Sequence, residues 1–212
     1  MSFQIHTVVS SPFEENSYLL WRKGQDSCVV VDPGMEPELI LDFLQQESLS
    51  ISAILNTHGH ADHIAGNAAM KQAFPDAPLV IGLRDAPLLT DPQLNLSRSY
   101  GFDIFSPVAD QLVQEGDRLT FAGIDFEVLD IPGHSPGHVV FLIREDPITV
   151  LGGDVLFRES IGRTDFPGGS LQLLKSGIRK KLFTLADSTL IYPGHGPVTT
   201  IAHEKEYNPF LR

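Results

Sequence analysis

The sequence predicts an α/β fold of the α+β type, with two β-sheets packed face to face and helices on both outer sides, in a four-layer αββα arrangement. Apolar strand-like runs recur along the chain and outnumber the helical patterns. Many of these runs are continuously apolar rather than alternating, which is typical of strands that are covered on both faces. Helical patterns with one apolar stripe lie between the runs and supply the outer layers.

The predicted strands are, in chain order, "YLLW", "CVVVD", "ISAIL", "PLVIGL", "RLTFAG", "DFEVLDI", "VVFLI", "ITVLGG" and "TLIYPG". A first helix is predicted for "EPELILDFLQQ", where Pro37 stands near the start and Ile40 and Leu44 share one face. A second helical pattern covers "HIAGNAAMKQAF". The third helix is predicted for "SLQLLKSGIRKKLFTL", with Ser170 as its N-cap.

Length and composition indicate one globular domain over residues 1–212. Hydrophobic residues make up 42% of the chain and charged residues 20%, which is ordinary for a globular protein. No linker rich in Pro, Gly or Ser separates two independent parts. The two sheets are therefore expected to come from two halves of a single domain, about 1–110 and 111–212.

Charge, cysteine content and hydropathy limit the classes of partner. The formal net charge of −12 disfavours nucleic acid, because the average field of the protein repels a polyanion. The single cysteine, Cys28, excludes an intrachain disulfide and is expected to be a buried thiol in a strand. Neither a signal-peptide pattern nor an apolar span of roughly 20 residues is visible. We therefore expect a cytoplasmic monomer or small homo-oligomer without a membrane partner.

The stretch "THGHADH" concentrates candidate metal ligands directly after an apolar strand. In an extended segment, residues two apart point the same way, so His58 and His60 can converge on one point while Gly59 permits a close backbone approach. Asp62 and His63 follow at the turn into the second helical pattern and can serve an adjacent point. Surface histidines in a polar loop are the alternative interpretation, but so dense a group of coordinating side chains favours metal binding.

Three further candidates occupy the same kind of position, at or after the end of a strand. His134 lies in "DIPGHSPGH", Asp154 in "VLGGDVLF" and His195 in "LIYPGHGP". Each of them alone could be an ordinary turn residue. Together with the first group they indicate a metal site built from His and Asp ligands. His6, in a strand-like run, and His203, in a helical pattern, are expected to have only structural roles.

The motifs "THGHADH", "PGHSPGH", "GGD" and "PGHGP", in this order, resemble those of the metallo-β-lactamase-fold hydrolases, and more narrowly the short form of the glyoxalase II-like (hydroxyacylglutathione hydrolase) branch. The resemblance runs from about Asn16 to the C-terminus. It implies an αββα sandwich with the site at one edge, where the two halves meet. It also implies two metal sites, one held by His58, His60 and His134 and the other by Asp62, His63 and His195, with Asp154 as the bridge.

The activity that this resemblance implies is the hydrolysis of S-D-lactoylglutathione or a related acyl-thiol, a small glutathione-derived thioester. Two divalent cations about 3.5–4 Å apart lower the pKa of a shared water toward roughly 7, so that a metal-bound hydroxide is the nucleophile. Asp62 and Asp154 are the expected catalytic carboxylates. A thiolate can leave without a general acid, because the pKa of its conjugate acid is about 8–9. Zinc is favoured as the metal, with iron and manganese as alternatives.

A second branch of the same fold, the glutathione persulfide dioxygenases, also resembles this chain at "THGHADH" and "GRTDF". In that branch the residues matching His58, His134 and Asp154 would hold a single iron. The segments "PGHSPGH" and "YPGHGPVTT" favour the hydrolase, because the dioxygenases tend to have cysteine at the position of His138. β-Lactam hydrolysis is not expected as the main activity, because Asp154 stands at the bridging position and the only cysteine lies elsewhere.

Other residues near the motifs are expected to support the site or to line it. Asp32 is predicted to form a turn or to assist a ligand, and His138 to supply a supporting hydrogen bond. Arg163 is the candidate substrate-binding residue, able to pair with a glutathione carboxylate, and a salt bridge with Asp165 is the equal alternative. The irregular segment 89–110 is expected to be either a flexible wall of the substrate cleft or mere packing.

Overall fold

The computed structural model describes residues 3–212, which form two six-stranded sheets and one small hairpin. Met1 and Ser2, which the predicted domain includes, lie outside the described residues. The first sheet has the strand order β1-β2-β3-β4-β5-β6, with strands Phe3–Ser10, Glu15–Arg22, Ser27–Val31, Ser50–Asn56, Leu79–Gly82 and Gln111–Val113. The remaining strands are β7 to β14 in chain order: Arg118–Phe121, Ile124–Asp130, Val139–Ile143, Thr149–Gly153, Leu156–Phe157, Ser160–Ile161, Leu190–Pro193 and Thr199–Thr200. The second sheet is ordered β14-β13-β10-β9-β8-β7, and β11 pairs with β12.

The helices cover the outer faces of the two sheets. They are α1 (Pro37–Glu47), α2 (Ala61–Ile64), α3 (Asn67–Ala73), α4 (Leu171–Gly177), which continues as a π-helix over Ile178–Leu182, and α5 (Ile201–Tyr207). Short 3₁₀-helices span Ala86–Thr90 and Ser97–Tyr100. None of the helices within residues 3–212 has the length and apolarity that crossing a bilayer requires.

Two of the predicted helix starts are confirmed, and one predicted helix is interrupted. Helix α1 begins at Pro37, and the Ser170 side chain caps α4 by accepting a hydrogen bond from the Leu173 N–H at 3.3 Å. The second helical pattern divides into α2 and α3, with a break before Gly66. The Gly66 N–H donates to the Pro33 carbonyl at 2.8 Å, and a Cβ at Gly66 would lie 2.9 Å from Pro33. The helix is therefore broken where the loop that carries Pro33 approaches Gly66.

Alternating side chains along the central strands divide between two layers of the core. In β3, Val29 lies in the apolar cluster between the two sheets, whereas Val30 lies in the cluster under α1. In β9, Phe141 and Leu142 divide in the same way between the inter-sheet cluster and the cluster that contains α4. The predicted αββα sandwich is therefore confirmed. Cys28 is fully buried, as expected, and burial raises the pKa of its thiol to about 12.

The strand directions bring several carboxyl ends to one edge of the sandwich. Strands β3, β4 and β5 are parallel neighbours, and so are β10 and β13. Strand β8 runs in the direction of β10, because both are antiparallel to β9. In open sheets, sites form where such strands end. The first sheet also includes β6, which pairs with β5, so it extends to Val113, a few residues beyond the expected division near residue 110.

Candidate metal centre

All the candidate ligands predicted from the motifs lie together at this edge of the sandwich. The segment that follows β4 carries His58, His60, Asp62 and His63, and the loops after β8, β10 and β13 carry His134, Asp154 and His195. Two triads have ligand atoms that all lie within 4.8 Å of one another, namely His58, His60 and His134, and Asp62, His63 and His195. These are the two triads that the resemblance implies. A third such group, Asp32, His58 and His63, shares two of the same histidines.

The Asp154 carboxylate lies between the two triads. Its Oδ1 atom is 3.4 Å from His63 Nε2, in the second triad. Its Oδ2 atom is 3.4 Å from His134 Nε2, in the first triad, and 3.7 Å from His195 Nε2. Gly194 permits this approach, because a Cβ there would lie 2.3 Å from Asp154 Oδ1. One carboxylate therefore reaches both groups of histidines.

Hydrogen bonds hold the Nδ1 side of two histidine rings in the first half of the chain. The Thr57 hydroxyl donates its one proton to Asp32 Oδ2 at 2.6 Å, so it accepts from His58 Nδ1 at 3.1 Å. His63 Nδ1 donates to Asp32 Oδ2 at 3.2 Å. Both rings therefore carry a proton on Nδ1, and the Nε2 atom is the one that points to the centre. Asp32 assists two rings in this way, which confirms its predicted supporting role.

Backbone carbonyls orient the two histidines of the second half. His134 Nδ1 lies 2.9 Å from the Arg163 carbonyl oxygen, and His195 Nδ1 lies 3.1 Å from the Phe13 carbonyl oxygen. A carbonyl can only accept, so both Nδ1 atoms carry a proton, and both Nε2 atoms face the centre. His60 has the opposite orientation, because its Nδ1 atom faces His134 Nε2 at 2.8 Å.

Unpartnered buried atoms show that this set of residues fits metal ions. Within the described chain, His58 Nε2, His63 Nε2 and Asp154 Oδ1 are buried and have no hydrogen-bond partner. Leaving such atoms unsatisfied costs about 1–3 kcal/mol each. Neutral imidazoles and ionised carboxylates are ligands that divalent zinc, iron and manganese accept. Cations in the two triads would satisfy all three atoms.

The electrostatics of the site differ between the two triads. Burial, reinforced by neighbouring histidines, lowers the pKa of His58 and of His60 well below the ordinary value, so both are neutral as a ligand must be. Burial also opposes protonation of His63, but Asp62 and Asp154 raise its pKa well above the ordinary value. Burial disfavours ionisation of Asp62, yet His63 and His195 hold the pKa of that carboxyl below its ordinary value. The second triad is thus an anionic site that attracts either protons or a cation.

His138 supports Asp154 through the backbone. Its Nε2 atom accepts a hydrogen bond from the Asp154 N–H at 3.0 Å, and its ring stacks on His58 with ring centroids 4.7 Å apart. The supporting hydrogen bond predicted for His138 is therefore confirmed. The His138 ring is fully buried, so it fixes the position of the peptide that carries the bridging carboxylate.

Asp85, which the sequence reasoning missed, ties together the two loops that carry the first triad. It is fully buried and follows β5. Its Oδ2 atom accepts from the Gly59 N–H at 3.1 Å and from the Ser135 hydroxyl at 2.5 Å, and its Oδ1 atom accepts from the Gly137 N–H at 2.5 Å. Burial raises the pKa of Asp85, and these hydrogen bonds oppose the rise. The only signal in the sequence was a carboxylate after a strand.

Glu15 and Asn16, also missed, connect the first half to the loop that carries His195. Glu15 forms a β-bridge with His195. The Asn16 N–H donates to the Gly194 carbonyl at 2.7 Å, and the Asn16 side-chain amide donates to the carbonyls of Pro193 and Gly196. Burial raises the pKa of Glu15 well above its ordinary value. These contacts position a ligand of the second half from the first sheet.

A cleft of about 250 Å³ opens above the two triads. Leu96 and Tyr100 of segment 89–110 line it, so part of this segment belongs to the wall of the cleft, and the flexibility expected for the segment stays a prediction. Arg163 also lines it, but its guanidinium donates to both oxygens of Asp165, at 2.9 and 2.7 Å. The alternative predicted for Arg163, a salt bridge with Asp165, is therefore present.

The two histidines without a predicted site role lie outside the centre. His6 stacks on Phe43 with ring centroids 3.8 Å apart. His203 Nε2 lies 2.9 Å from a carboxylate oxygen of Glu159. Both expectations of a structural role agree with these contacts.

Comparison with known proteins places this geometry in a family. The sequence profile described as the metallo-beta-lactamase superfamily matches residues 11–195. Hydroxyacylglutathione hydrolase GloC of Haemophilus influenzae is 37% identical over 210 residues, which are 98% of this chain and 97% of that protein. A crystal structure of the BLEG-1 B3 metallo-beta-lactamase is 37% identical, with 99% of each chain covered and a TM-score of 0.93.

Two further solved structures bear on the metals. A protein crystallised in a di-iron-bound form is 39% identical, with 97% of this chain and all of that chain covered, and a TM-score of 0.87. ETHE1 from Myxococcus xanthus is 28% identical, with 97% of this chain and 83% of that chain covered, and a TM-score of 0.80. This chain therefore belongs to the metallo-beta-lactamase superfamily and is a metallohydrolase of that fold.

Proposed function

We propose that this metallohydrolase binds two divalent metal ions and cleaves thioesters, with S-D-lactoylglutathione as the reference substrate. His58, His60 and His134 would hold one ion, Asp62, His63 and His195 would hold the other, and Asp154 would be shared between them. The observation that carries the proposal is the Asp154 carboxylate, which lies within 3.4 Å of a histidine in each triad and has a buried, unpartnered oxygen. A carboxylate in that position is suited to two cations rather than one.

The residues of the chain prepare the site for hydrolysis. Two metal ions, when bound, supply a hydroxide nucleophile at neutral pH and polarise the substrate carbonyl. Asp32, Thr57 and two backbone carbonyls hold the Nδ1 atoms of four ligand histidines, all except His60, and so keep their Nε2 atoms directed inward. Asp62 and Asp154 line the cleft above the centre. Because a thiolate leaves without a proton donor, the site needs no general acid for this reaction.

The similarity to GloC supports a glutathione thioester, because that relative is named for hydroxyacylglutathione hydrolysis. The similarity to the B3 metallo-beta-lactamase BLEG-1 favours a second candidate, the hydrolysis of β-lactams by the same site. Both reactions add hydroxide to a carbonyl. Thioester cleavage remains the main proposal, since the amide nitrogen of a β-lactam leaves less readily than a thiolate.

The mononuclear dioxygenase remains the alternative, and the similarity to ETHE1 is the observation that favours it. That activity needs only His58, His134 and Asp154 around one iron. Asp62, His63 and His195 form an additional complete triad, which favours two ions. Zinc is our first choice, and the di-iron relative makes iron the first alternative to test.

The test measures metal content per chain and S-D-lactoylglutathione hydrolysis on the same purified sample. We expect two metal ions per chain and rapid hydrolysis. Asp154→Asn and His195→Ala should each reduce the rate at least 100-fold, because a metal ligand is lost, whereas His203→Ala should change it less than twofold. One iron per chain, negligible hydrolysis and oxygen uptake with glutathione persulfide would instead establish the dioxygenase. A parallel assay with a chromogenic cephalosporin tests the β-lactam candidate.

A further inference from the structure

The walls of the cleft are largely aromatic where they meet the ligand histidines. The Phe166 ring packs edge-on against His60 and His134, with ring centroids 5.2 and 5.8 Å away. Phe157 lies 6.1 Å from His195 in the same manner. Phe13, which also lines the cleft, packs edge-on against Tyr100, whose side chain is half exposed. A bound substrate therefore meets several apolar rings beside the centre.

The cationic side chain of the cleft is already paired with a carboxylate of the protein. Among the lining residues of the described chain, Arg163 is the one lysine or arginine. One edge of its guanidinium, Nε and Nη2, donates to both carboxylate oxygens of Asp165, and its face lies 4.2 Å over the Phe166 ring. The hydrogen bond from Arg163 lowers the pKa of Asp165 to about 2, so the pair persists at neutral pH. The two charges cancel at the mouth of the cleft.

Selective recognition of a glutathione thioester through its carboxylates would need cations at this place. Its tripeptide carries two carboxylates, and proteins bind such groups through charge-assisted hydrogen bonds from arginine or lysine. The net charge of −12 disfavours an anionic substrate further. The cleft volume of about 250 Å³ is also below the roughly 300–1,000 Å³ of sites that enclose a drug-sized ligand.

We infer that the cleft recognises thioesters through the apolar surface around the thioester bond, and that Asp165 prevents Arg163 from selecting for carboxylates of the thiol. This inference rests on the proposed thioester hydrolysis. The preferred class is a compact thioester with an uncharged thiol part, and glutathione thioesters are cleaved without any contribution from their carboxylates. Asp165 is thus a residue that determines substrate specificity.

The test compares kcat/KM for two thioesters with the same acyl group, S-D-lactoylglutathione and S-D-lactoyl-N-acetylcysteamine. In the metal-loaded natural protein we expect the glutathione ester to be no more than about threefold better. Asp165→Asn frees Arg163, and this should increase the preference for the glutathione ester by about tenfold, the effect of one charge-assisted hydrogen bond. The double change Arg163→Ala with Asp165→Asn should abolish that gain.

Asp103→Asn is the matched control. Asp103 is exposed and pairs with Arg98 through the same two-bond geometry, outside the cleft lining. The Asp103→Asn substitution removes one negative charge, as Asp165→Asn does. It should leave the ratio of the two kcat/KM values unchanged. A natural preference for the glutathione ester above tenfold, or an unchanged ratio in Asp165→Asn, would overturn the inference and leave the thioesterase standing. Failure to cleave either ester would reject the proposed function, and the inference with it.

Discussion

At the scale of single residues, the site depends on side chains that never touch a metal. Asp85 accepts three hydrogen bonds from the loops that carry His60 and His134. The motif residues were recognisable because they are dense, of one chemical type and flanked by glycine and proline. Asp85 has none of these features, and its partners lie 26, 50 and 52 positions away in the chain. Only the folded chain reveals it as a positioning residue.

Replacing Asp85 with asparagine tests this role. An amide keeps one accepting oxygen but introduces a nitrogen that cannot accept, so at least one buried donor loses its partner. We expect a loss of about 1–3 kcal/mol in the free energy of unfolding, measured with urea on the metal-free protein. We also expect a 10- to 100-fold loss of metal affinity, measured by competition with a chelator.

The exposed Asp76→Asn provides the control for the change in charge. Its free energy of unfolding should stay within about 0.5 kcal/mol of the natural protein. If Asp85→Asn behaved like this control in both measurements, Asp85 would have no positioning role.

At the scale of elements, the contact between the His134 loop and helix α4 decides where that ligand stands. Gly133 has a φ of +135°, and its carbonyl accepts from the Ser170 N–H at 2.8 Å. A Cβ at Gly133 would lie 2.5 Å from the Ser170 carbonyl oxygen and 2.6 Å from the Leu174 nitrogen. Helix α4 and its N-cap were predictable from the sequence pattern. The contact between the His134 loop and the first turn of α4 was not.

Gly133→Ala should destabilise the protein in two ways. The backbone conformation alone costs about 1–3 kcal/mol for a residue with a side chain, and the overlap with backbone atoms of α4 adds to it. Thermal unfolding should show the loss, and metal content should fall because His134 is displaced. Gly116→Ala isolates the first effect, since Gly116 has a φ of +86° and nothing lies within 4 Å of its Cβ position. Equal losses in the two variants would show that the contact with α4 is unimportant.

At the scale of the whole molecule, the metal centre joins the two sheets. The ligands before residue 64 come from the first half, and His134, Asp154 and His195 come from the second. The inter-sheet core holds the halves together with large buried side chains such as Phe126 and Phe141. Metal binding adds a connection at the edge of this interface, so metal occupancy should be coupled to global stability.

Removal of the metals should therefore lower the melting temperature. At a metal concentration about 1,000 times the Kd, one site contributes roughly 4 kcal/mol, and each kcal/mol corresponds to about 2–4 °C for a chain of this length. With two sites the sum is roughly 8 kcal/mol, so we expect a chelated sample to melt about 15–30 °C below a loaded one in scanning calorimetry. His195→Ala should reduce this difference and His203→Ala should preserve it. A melting temperature that does not respond to chelation would contradict the coupling between the centre and the two halves.

The sequence by itself determined the four-layer architecture, the positions of most strands and the residues that gather at the centre. These features are local: apolar periodicity, turn residues and dense ligand motifs can each be recognised in a short window. Only the tertiary structure decided which acceptor binds the Nδ1 atom of each ligand histidine. It also decided that Asp85 and Glu15 contact the loops that carry the ligands, and that Arg163 is paired with Asp165. These are contacts through space. Their partners come from different strands and loops, and their geometry depends on how the two sheets pack, which no short stretch of sequence encodes.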